Sequence, residues 1–596
     1  MVKPILLLES AVVLCTYLSL VFFAGLATVA TVNPRARWTA AEVAAVGLIV
    51  IFVSAILASF FGGVGHGPLG WLTLGLLVLA VARLRHLQET WKTVYRHTSI
   101  AGLLICCAAA PVVAANALNL ALCYDVGLYH FNGVRWAAEY GSVPGLANLY
   151  TRLGFNTAMF PFAAFLSWPF PVEISRQFAN SVVLLVLAAN ISQSFGTQDD
   201  RKVAKSTAWL SLLLLPKVIA QSLSNCLSSP NPDFAATAVV LLSACFFWRV
   251  CSSDSKDLER KDFILPVVCA GVSAQLKLSY AAFAAGVFAV VMWKALKRGG
   301  NRASTEESNN LRSVAHGSDG FGLIATVLLT CAILFLPWLW RGYLTSGYPF
   351  FPSTVGKLPF DWTVPEPTAR DERDWVYGWA RLPFVPYNEV LGHREWIGPW
   401  LRALSHNPIF IESAVLFTVS VFAVLLAVKR GLKPAAFAET GLFSVPLAFS
   451  LPFWFFTAPD PRFNEGVLWL VGVAIALTAL RSADAKGPAW ICGCMIAGLS
   501  VYALVAGLPE LRQKNKSLPN YLRPSEMIQV QTNSGLKVWI PKKTNDIYDA
   551  PLPATDANRF DPRLELRGQG LQEGFRIRGP GEAPWLIRPS NSPIKE

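Results

Sequence analysis

Long apolar segments recur along the whole of this 596-residue chain and constrain its fold more than any other feature. A helix of about 20 apolar residues has the length needed to cross a bilayer. The connecting stretches are rich in Gly, Pro, Trp and charge, and 53% of all residues are hydrophobic while only 15% are charged. The pattern predicts an all-α polytopic membrane protein and excludes an ordinary soluble one.

The apolar segments and the charges between them predict about fourteen transmembrane helices. Lys and Arg concentrate in alternate connectors, which we assign to the cytoplasm, so that both termini lie on the other side. The expected spans cover residues 4–31, 42–61, 69–83, 99–122, 176–195, 205–222, 236–251, a hairpin of two short helices within 263–293, 321–340, 409–428, 437–457, 465–480 and 488–508.

Two domains are predicted, a transmembrane domain over residues 1–508 and a C-terminal extracytoplasmic segment over 509–596. The segment is polar and too poor in apolar residues for a strong core of its own, so we expect it to pack over the outer face of the membrane domain. The run GLKVWIP at 535–541 favours a strand within it.

The net charge of +13 is accounted for by the basic connectors rather than by one basic face. We therefore predict the lipid bilayer as a partner and no nucleic acid. The cysteines fall mostly within apolar segments, as at Cys106, Cys245 and Cys331, and we interpret them as small hydrophobic side chains.

The outer loop 123–160 opens with the sequence YDVGLYH directly after an apolar run. Asp125, Tyr129 and His130 are therefore expected at a membrane surface. The residues that follow have apolar side chains at helical spacing and predict an amphipathic helix lying along that surface, namely Val134, Trp136, Ala137 and Tyr140. A second long outer loop, 341–407, is rich in Trp and Pro; loops of this length are usually functional, although its Trp residues are typical of an interfacial belt.

Polar residues from distant parts of the chain all fall on the outer side of the predicted membrane domain, and we expect them to line one cavity. They are Asp125, Tyr129, His130, Arg135, Arg152, Asp233, Lys277, Asp460 and Arg462.

Most of these residues have a structural alternative. Asp125 and Asp233 have the positions of helix caps, and Asp460 and Arg462 are close enough in sequence to pair with each other. Lys277 lies in the middle of an apolar hairpin, where a lysine is costly unless it meets an anion or reaches water.

The runs YDVGLYHFNGVRWAAEYGSVPGLANLYTRLGFN, SSPNPDFA, QLKLS, SGYPFFPS, TAPDPRF, GLKVWIP and LELRGQGLQEGF resemble an uncharacterised family of large bacterial polytopic membrane proteins, over about Asp125 to Phe575. That family is similar in plan to the C-type (GT-C fold) glycosyltransferases of the bacterial inner membrane. Tyr150 stands where the family has a histidine, and Ile547 and Tyr548 where it has a Cys-Trp pair.

The resemblance implies transfer of a sugar from a polyprenyl-phosphate-linked donor to an acceptor on the extracytoplasmic side. Asp125 would be the base or a metal ligand. With this plan, His130 would assist, and Asp125 and Asp233 would share any divalent metal (Mg or Mn). The substrate's phosphate or sugar would be bound by Tyr129, Arg152, Lys277, Asp460 and Arg462, since charge-assisted contacts to phosphate are strong.

Two other functions fit the same sequence. A transporter or flippase for a lipid-linked saccharide would line its pathway with these charges. A non-catalytic membrane subunit of an envelope assembly complex would use the outer loops as contacts.

Overall fold

The protein is described by a computed structural model over residues 4–65, 67–121, 123–195, 201–303, 318–429, 434–481, 486–513, 516–519 and 526–579. These residues are mostly helical. The first ten helices are α1 Pro4–Val32, α2 Ala40–Ala58, α3 Pro68–Ala82, α4 Leu84–His97, α5 Ile100–Ala117, α6 Phe131–Tyr140, α7 Leu146–Leu149, α8 Met159–Phe165, α9 Val172–Gln193 and α10 Arg201–Ser222.

Ten further helices and four short strands follow along the chain. The helices are α11 Pro232–Ser252, α12 Arg260–Leu276, α13 Ala281–Ala303, α14 Ser318–Ser346, α15 Glu366–Arg381, α16 Ile397–Leu404, α17 Pro408–Lys429, α18 Pro434–Thr457, α19 Glu465–Leu480 and α20 Lys486–Leu511. The strands are β1 Met527–Gln531, β2 Lys537–Pro541, β3 Leu564–Leu566 and β4 Phe575–Ile577.

Ten helical segments of the described chain are long and apolar enough to cross a membrane, as expected of a multi-pass membrane protein. They belong to α1, α2, α5, α9, α11, α13, α14, α17, α18 and α20. An eleventh would be the pair α3 and α4, which is bent by 96° at its junction.

The remaining predicted spans also coincide with helices, but these are shorter or more polar. Helices α3, α12 and α19 have 15, 17 and 16 residues. Helix α10 has 22 residues and includes the buried Lys217, which forms ion pairs with Glu412 and Glu465. Length and composition therefore support fewer independent spans than the fourteen predicted.

The hairpin predicted within 263–293 is confirmed as α12 and α13. Lys277 ends α12 with an extended backbone (φ −146°), and a single 3₁₀ turn, Leu278–Tyr280, leads into α13. The two helices pack against each other, so Lys277 lies at the tip of the hairpin. Lys277 therefore lies at the same end of the helix bundle as Asp233, which is in the first turn of α11.

The amphipathic helix predicted after His130 is present as α6, and it ends at Gly141, whose φ of +75° favours glycine. Its apolar face is buried against protein. Trp136 is fully buried and packs edge-on against Phe575 of the C-terminal segment, with ring centroids 5.7 Å apart. Arg135 Nη1 donates to the carbonyl of Ala550 at 2.8 Å. The C-terminal segment thus covers the face that would otherwise meet lipid.

The C-terminal segment forms two antiparallel pairs, β1 with β2 and β3 with β4, and β2 confirms the predicted strand. It shares one apolar core with residues 136–153. Its backbone also contacts the turn before α6, because Gly127 O accepts from Ile547 N at 2.8 Å and from Tyr548 N at 2.9 Å. Asp549 receives two hydrogen bonds from Arg176 of α9, at 2.5 and 2.8 Å.

Two cysteines differ from the interpretation of all cysteines as small hydrophobes. Cys123 and Cys226 form a disulfide, with their Cα atoms 5.5 Å apart. The bond joins the residues that follow α5 to the turn before α11. Cys251 and Cys269, by contrast, are free and buried within helices, as interpreted.

A cluster of buried ion pairs lies at the other end of α11 and α12. Lys261 Nζ is 2.7 Å from Glu42 Oε2 of α2, and Arg249 lies 3.5 Å from both Glu42 and Asp262. Since Asp233 and Arg249 are 16 residues apart on α11, roughly 24 Å separates this inner cluster from the hairpin tip. We call Glu42, Arg249, Lys261 and Asp262 the inner cluster.

Candidate functional site

Asp125 is fixed by the elements on both sides of it. The Cys123–Cys226 disulfide holds the chain two residues before it, and a π-helical turn, Val126–His130, follows it and continues into α6. The contacts of Gly127 with the C-terminal segment hold this turn from outside. The carboxylate therefore projects from a braced segment rather than from a loose loop.

Arg462 is the direct partner of Asp125. Its Nη1 donates to Asp125 Oδ2 at 3.1 Å, and its Nε lies 3.3 Å from Asp460 Oδ2. Asp460 also accepts from the backbone N–H of Arg462, which starts the 3₁₀ turn Pro461–Phe463 between α18 and α19. The sequence-based alternative of a mutual Asp460–Arg462 pair is confirmed, with Asp125 as a second acid on the same guanidinium.

The charges around Asp125 keep it ionised. Burial alone would raise its pKa, but the positive charges of its neighbours, Arg462 first, outweigh burial and lower the pKa below its usual value. For Asp460 the balance is reversed, because burial raises its pKa despite Arg462. Asp125 is therefore the more strongly ionised of the two acids on Arg462.

Lys277 and Asp233 form a second ion pair at the hairpin tip. The Nζ of Lys277 also lies 3.8 Å from the ring centroid of Phe463, in the turn that carries Arg462. Asp233 occupies the first turn of α11, which Asn231 caps through hydrogen bonds to the backbone N–H groups of Asp233 and Phe234. The anion predicted for Lys277 is thus Asp233, and the cap predicted for this helix is Asn231 instead.

His130 is buried, with 1% of its surface exposed, and it lines the same cavity as Asp125. Its Nδ1 has no hydrogen-bond partner among the described residues. Burial lowers the pKa of His130 to about 4, against the opposing charges of Asp125 and Asp233. The imidazole of this lining residue is therefore neutral at neutral pH.

Arg152 reaches the cavity from the turn after α7 and is held by a network that sequence reasoning missed. Its Nε lies 3.9 Å from Glu372 of α15, a fully buried acid that also accepts from Thr151 Oγ1 at 2.5 Å. Arg559 of the C-terminal segment lies 3.5 Å from Glu372 and 2.5 Å from Asp371. Nothing near Glu372 in the sequence distinguishes it from the other acids of that helix.

Aromatic side chains of α15 contribute to the wall of the cavity. Trp375 and Trp379 are stacked, with centroids 5.2 Å apart, and Tyr124 stacks on Trp379 at 5.8 Å. The guanidinium of Arg152 lies 4.6 Å from the Trp375 ring. Both tryptophans line the cavity, so the second outer loop, 341–407, contributes to the same site as Asp125.

One cavity of about 220 Å³ brings most of the predicted site together. Its lining includes Asp125, Tyr129, His130, Arg152, Asp233, Lys277 and Arg462. Asp460 is not part of the lining and acts through Arg462, and Arg135 is instead bound to Glu139 and the C-terminal segment. Trp338, Phe351 and Phe463 add to a mostly apolar interior.

The donor set does not fit the divalent metal considered for Asp125 and Asp233. Each of these carboxylates already has a cationic partner, Arg462 and Lys277 respectively. Within the described parts of the chain, no three His, Cys, Asp or Glu residues stand together as a set of ligands. We therefore derive no chemical step through a metal.

Comparison with known proteins gives a family but no function. No curated protein and no solved structure matches the chain. The family described as a domain of unknown function (DUF8201) matches residues 7–304 and 313–469, which is more than half of the sequence. The chain therefore belongs to the DUF8201 family.

Proposed function

We propose that this protein is a membrane-embedded glycosyltransferase that moves a sugar from a polyprenyl-phosphate-linked donor to an acceptor hydroxyl on the extracytoplasmic side. The observation that carries the proposal is the convergence of Asp125, His130, Lys277 and Arg462 on one cavity that is also lined by aromatic side chains. An acid, a neutral imidazole and cations beside an apolar wall suit a substrate with a phosphate, a sugar and a lipid.

Asp125 is the proposed general base. In the reaction, the acceptor oxygen bonds to the anomeric carbon, the bond from that carbon to the phosphate oxygen breaks, and the hydroxyl proton passes to Asp125. Polyprenyl phosphate leaves with the bonding electrons. Asp125 is ionised before the reaction because its neighbours lower its pKa, as a base must be.

Arg462 couples the proton transfer to the departure of the phosphate. While Asp125 is ionised, Arg462 donates to it at 3.1 Å. When Asp125 takes the proton, that ion pair weakens and the guanidinium becomes available for the charge that develops on the leaving oxygen. Stabilisation that appears only as charge develops lowers the barrier rather than strengthening ground-state binding.

Lys277 and Arg152 complete the proposed phosphate site, and His130 with Tyr129 binds the sugar. Lys277 lies beside the same Phe463 ring as Arg462, so one phosphate group would meet both cations. His130 and Tyr129 both line the cavity, where a neutral imidazole and a phenol hydroxyl would hydrogen-bond to sugar hydroxyls.

Access for a lipid tail is supported by Phe453 near the end of α18. Phe453 contributes to the cavity lining and is also 37% exposed, next to the exposed apolar residues Phe449 and Phe456 of the same helix. Because Phe453 lies both in the cavity lining and on the exposed apolar surface of α18, this side of the cavity would be next to the bilayer.

Two features support the orientation, with the cavity facing outward. Disulfides persist mainly in oxidising compartments outside the cytosol, and the Cys123–Cys226 disulfide lies two residues before the cavity-lining Asp125. The basic connectors lie on the other side. In this arrangement the shorter or more polar α3, α10, α12 and α19 would cross the membrane packed among the other helices, for a total of fourteen.

The test is transfer by purified protein reconstituted into vesicles with a panel of polyprenyl-phosphate-linked hexoses and an acceptor extract. Asp125→Asn is expected to lower transfer by about 10²–10⁴-fold, because a positioned base contributes that much. Glu139→Gln, a carboxylate change on α6 outside the cavity lining, is the matched control and should retain transfer.

Equal activity of Asp125→Asn and the unchanged protein would contradict the proposal. So would movement of the intact lipid-linked saccharide across the vesicle membrane without formation of a new glycosidic bond, which is the behaviour of a flippase.

A further inference from the structure

Helix α4 has an orientation and an exposed surface that have no role in the proposed function. It follows α3 at an angle of 96°, so that if α3 runs along the membrane normal, α4 runs in the plane of the membrane. Helix α3 itself exposes a broad apolar surface, made by Trp71, Leu74, Leu77, Val78 and Val81. Such a surface on a membrane protein faces lipid.

Six exposed residues of α4 form two parallel stripes, with the exposed Gln88 between them and the exposed Glu89 beside the second. Leu84, Trp91 and Tyr95 are 53%, 51% and 76% exposed, and their spacing of seven and four residues places them within about 40° of one another on the helix. The protein-facing side is different, because Thr90 and Val94 are buried and Thr90 donates to the carbonyl of Pro34. The first stripe is therefore apolar and largely exposed. Of its residues, Trp91 makes an edge-on contact with Phe22 of α1.

The second stripe is basic and repeats the same spacing one residue later. Arg85, Lys92 and Arg96 are exposed and lie about 100° around the helix from the apolar stripe. The exposed acid of α4, Glu89, lies 3.8 Å from Arg35, a side chain that is itself exposed. Three cations thus line the edge of an apolar surface without an equal number of acids.

We propose that α4 is a binding site for anionic phospholipid on the face of the protein opposite the cavity. The apolar stripe would enter the acyl region while the basic stripe meets the phosphate headgroups, which is how amphipathic helices sit at a membrane interface. Helix α5, with 18 residues, separates this helix from Asp125 by roughly 27 Å. The inference therefore stands independently of the proposed transferase activity.

The test measures lipids bound to the full-length protein in detergent by native mass spectrometry, with phosphatidylglycerol or phosphatidylcholine added at equal concentration. The unchanged protein should retain phosphatidylglycerol in preference to phosphatidylcholine. The triple variant Arg85→Gln, Lys92→Gln, Arg96→Gln should bind phosphatidylglycerol on the order of 100-fold more weakly, at about fivefold for each charge removed. Its binding of phosphatidylcholine should be unchanged, which also shows that the variant is folded.

Two matched variants sharpen the result. Lys537→Gln, Lys542→Gln, Lys543→Gln removes the same number of exposed cations from the C-terminal segment and should leave phosphatidylglycerol binding unaltered. Arg85→Lys, Lys92→Arg, Arg96→Lys preserves the charge and should retain binding. The proposal is overturned if the α4 triple variant binds phosphatidylglycerol like the unchanged protein, if both triple Gln variants lose it equally, or if phosphatidylcholine binding falls in parallel.

Discussion

The two ends of helices α11 and α12 carry ionic clusters of similar composition and different construction. In the inner cluster the side chains of Lys261 and Glu42 are 2% and 8% exposed, and both groups also bind backbone atoms of residues 37–39. The outer cluster consists of Asp125, Asp233, Lys277, Asp460 and Arg462; in it Lys277 and Arg462 are 25% and 29% exposed and border a cavity. Arg249 of the inner cluster is 38% exposed, but the Lys261–Glu42 pair is enclosed by its partners and holds helices together. Charges that share a cavity are instead available to a ligand.

The contrast predicts opposite consequences for removing a lysine at each end. Lys261→Ala removes the nearer cation from the buried Glu42 and leaves it the longer ion pair with Arg249, and breaking such a buried pair costs about 3–5 kcal/mol of stability. Thermal unfolding of the purified protein should show the loss. Transfer activity measured well below the lowered melting temperature should be unaffected, since the inner cluster lies far from the cavity. If Lys261→Ala had the same melting temperature as the unchanged protein, the inner cluster would not have the structural role that distinguishes it from the outer cluster.

The neutral His130 predicts a dependence of stability on pH. Its pKa is about 4 in the folded protein and near the usual 6.5 when unfolded, so between these values the unfolded state binds a proton that the folded state does not. The free energy of unfolding therefore falls as the pH is lowered from 6.5 to 4, by about 3 kcal/mol in total.

Asp125 contributes acid sensitivity of its own, because its folded pKa is lowered and its pairing with Arg462 is lost as the pH falls through that value. A His130→Gln variant isolates the histidine contribution. Melting temperatures of this variant should decline less steeply than those of the unchanged protein between pH 6.5 and 4.5. If the melting temperatures of the two proteins fell in parallel with pH, His130 would take up its proton in the folded state as readily as in the unfolded state.

For the outer cluster, Lys277→Gln is expected to lower transfer about 100-fold, or roughly 2.7 kcal/mol of barrier, because a cation next to the leaving phosphate is lost. Stability should change by less than about 1 kcal/mol, since the pair with Asp233 is partly exposed to solvent. Lys277→Arg should recover part of the rate. If Lys277→Gln lowered the melting temperature as much as Lys261→Ala and left the transfer rate unchanged, the role of Lys277 would be structural.

The smallest expected effect concerns the aromatic wall. Trp379→Ala removes the ring that is stacked between Tyr124 and Trp375, and we expect about fivefold weaker substrate binding, or about 1 kcal/mol. The rate at saturating substrate should remain, because the ring contributes no charge to the reaction. Trp490→Ala, an exposed tryptophan on α20, is a matched control. Equal effects of both changes would indicate a general loss of stability.

Local sequence patterns were sufficient for the helices and for the charged wall of the cavity. Apolar length predicts where the spans lie, and alternation of basic connectors placed Asp125, Asp233, Lys277 and Arg462 at one end, where the structure brings them into one cavity. Each of these inferences needs only the neighbouring 20 or so residues of sequence.

The features that the sequence did not predict depend on contacts between distant residues. The burial of α6 requires Phe575, and the position of Arg152 requires Glu372 and Arg559, none of which is near in sequence. The disulfide joins cysteines 103 positions apart. Its one local signal was that both cysteines flank polar outer turns, unlike the cysteines inside apolar segments.

The contacts between the C-terminal segment and the π-helical turn have a consequence for the order in which the protein is assembled. A ribosome produces Ile547, Tyr548 and Arg559 only after helices α1 to α20 have been synthesised. Until those residues arrive, Gly127 lacks its two backbone donors and Glu372 lacks one of its cations. A chain that stops before Ile547 can therefore form all of its described helices while Gly127 and Glu372, which lie next to Asp125 and Arg152, still lack these contacts.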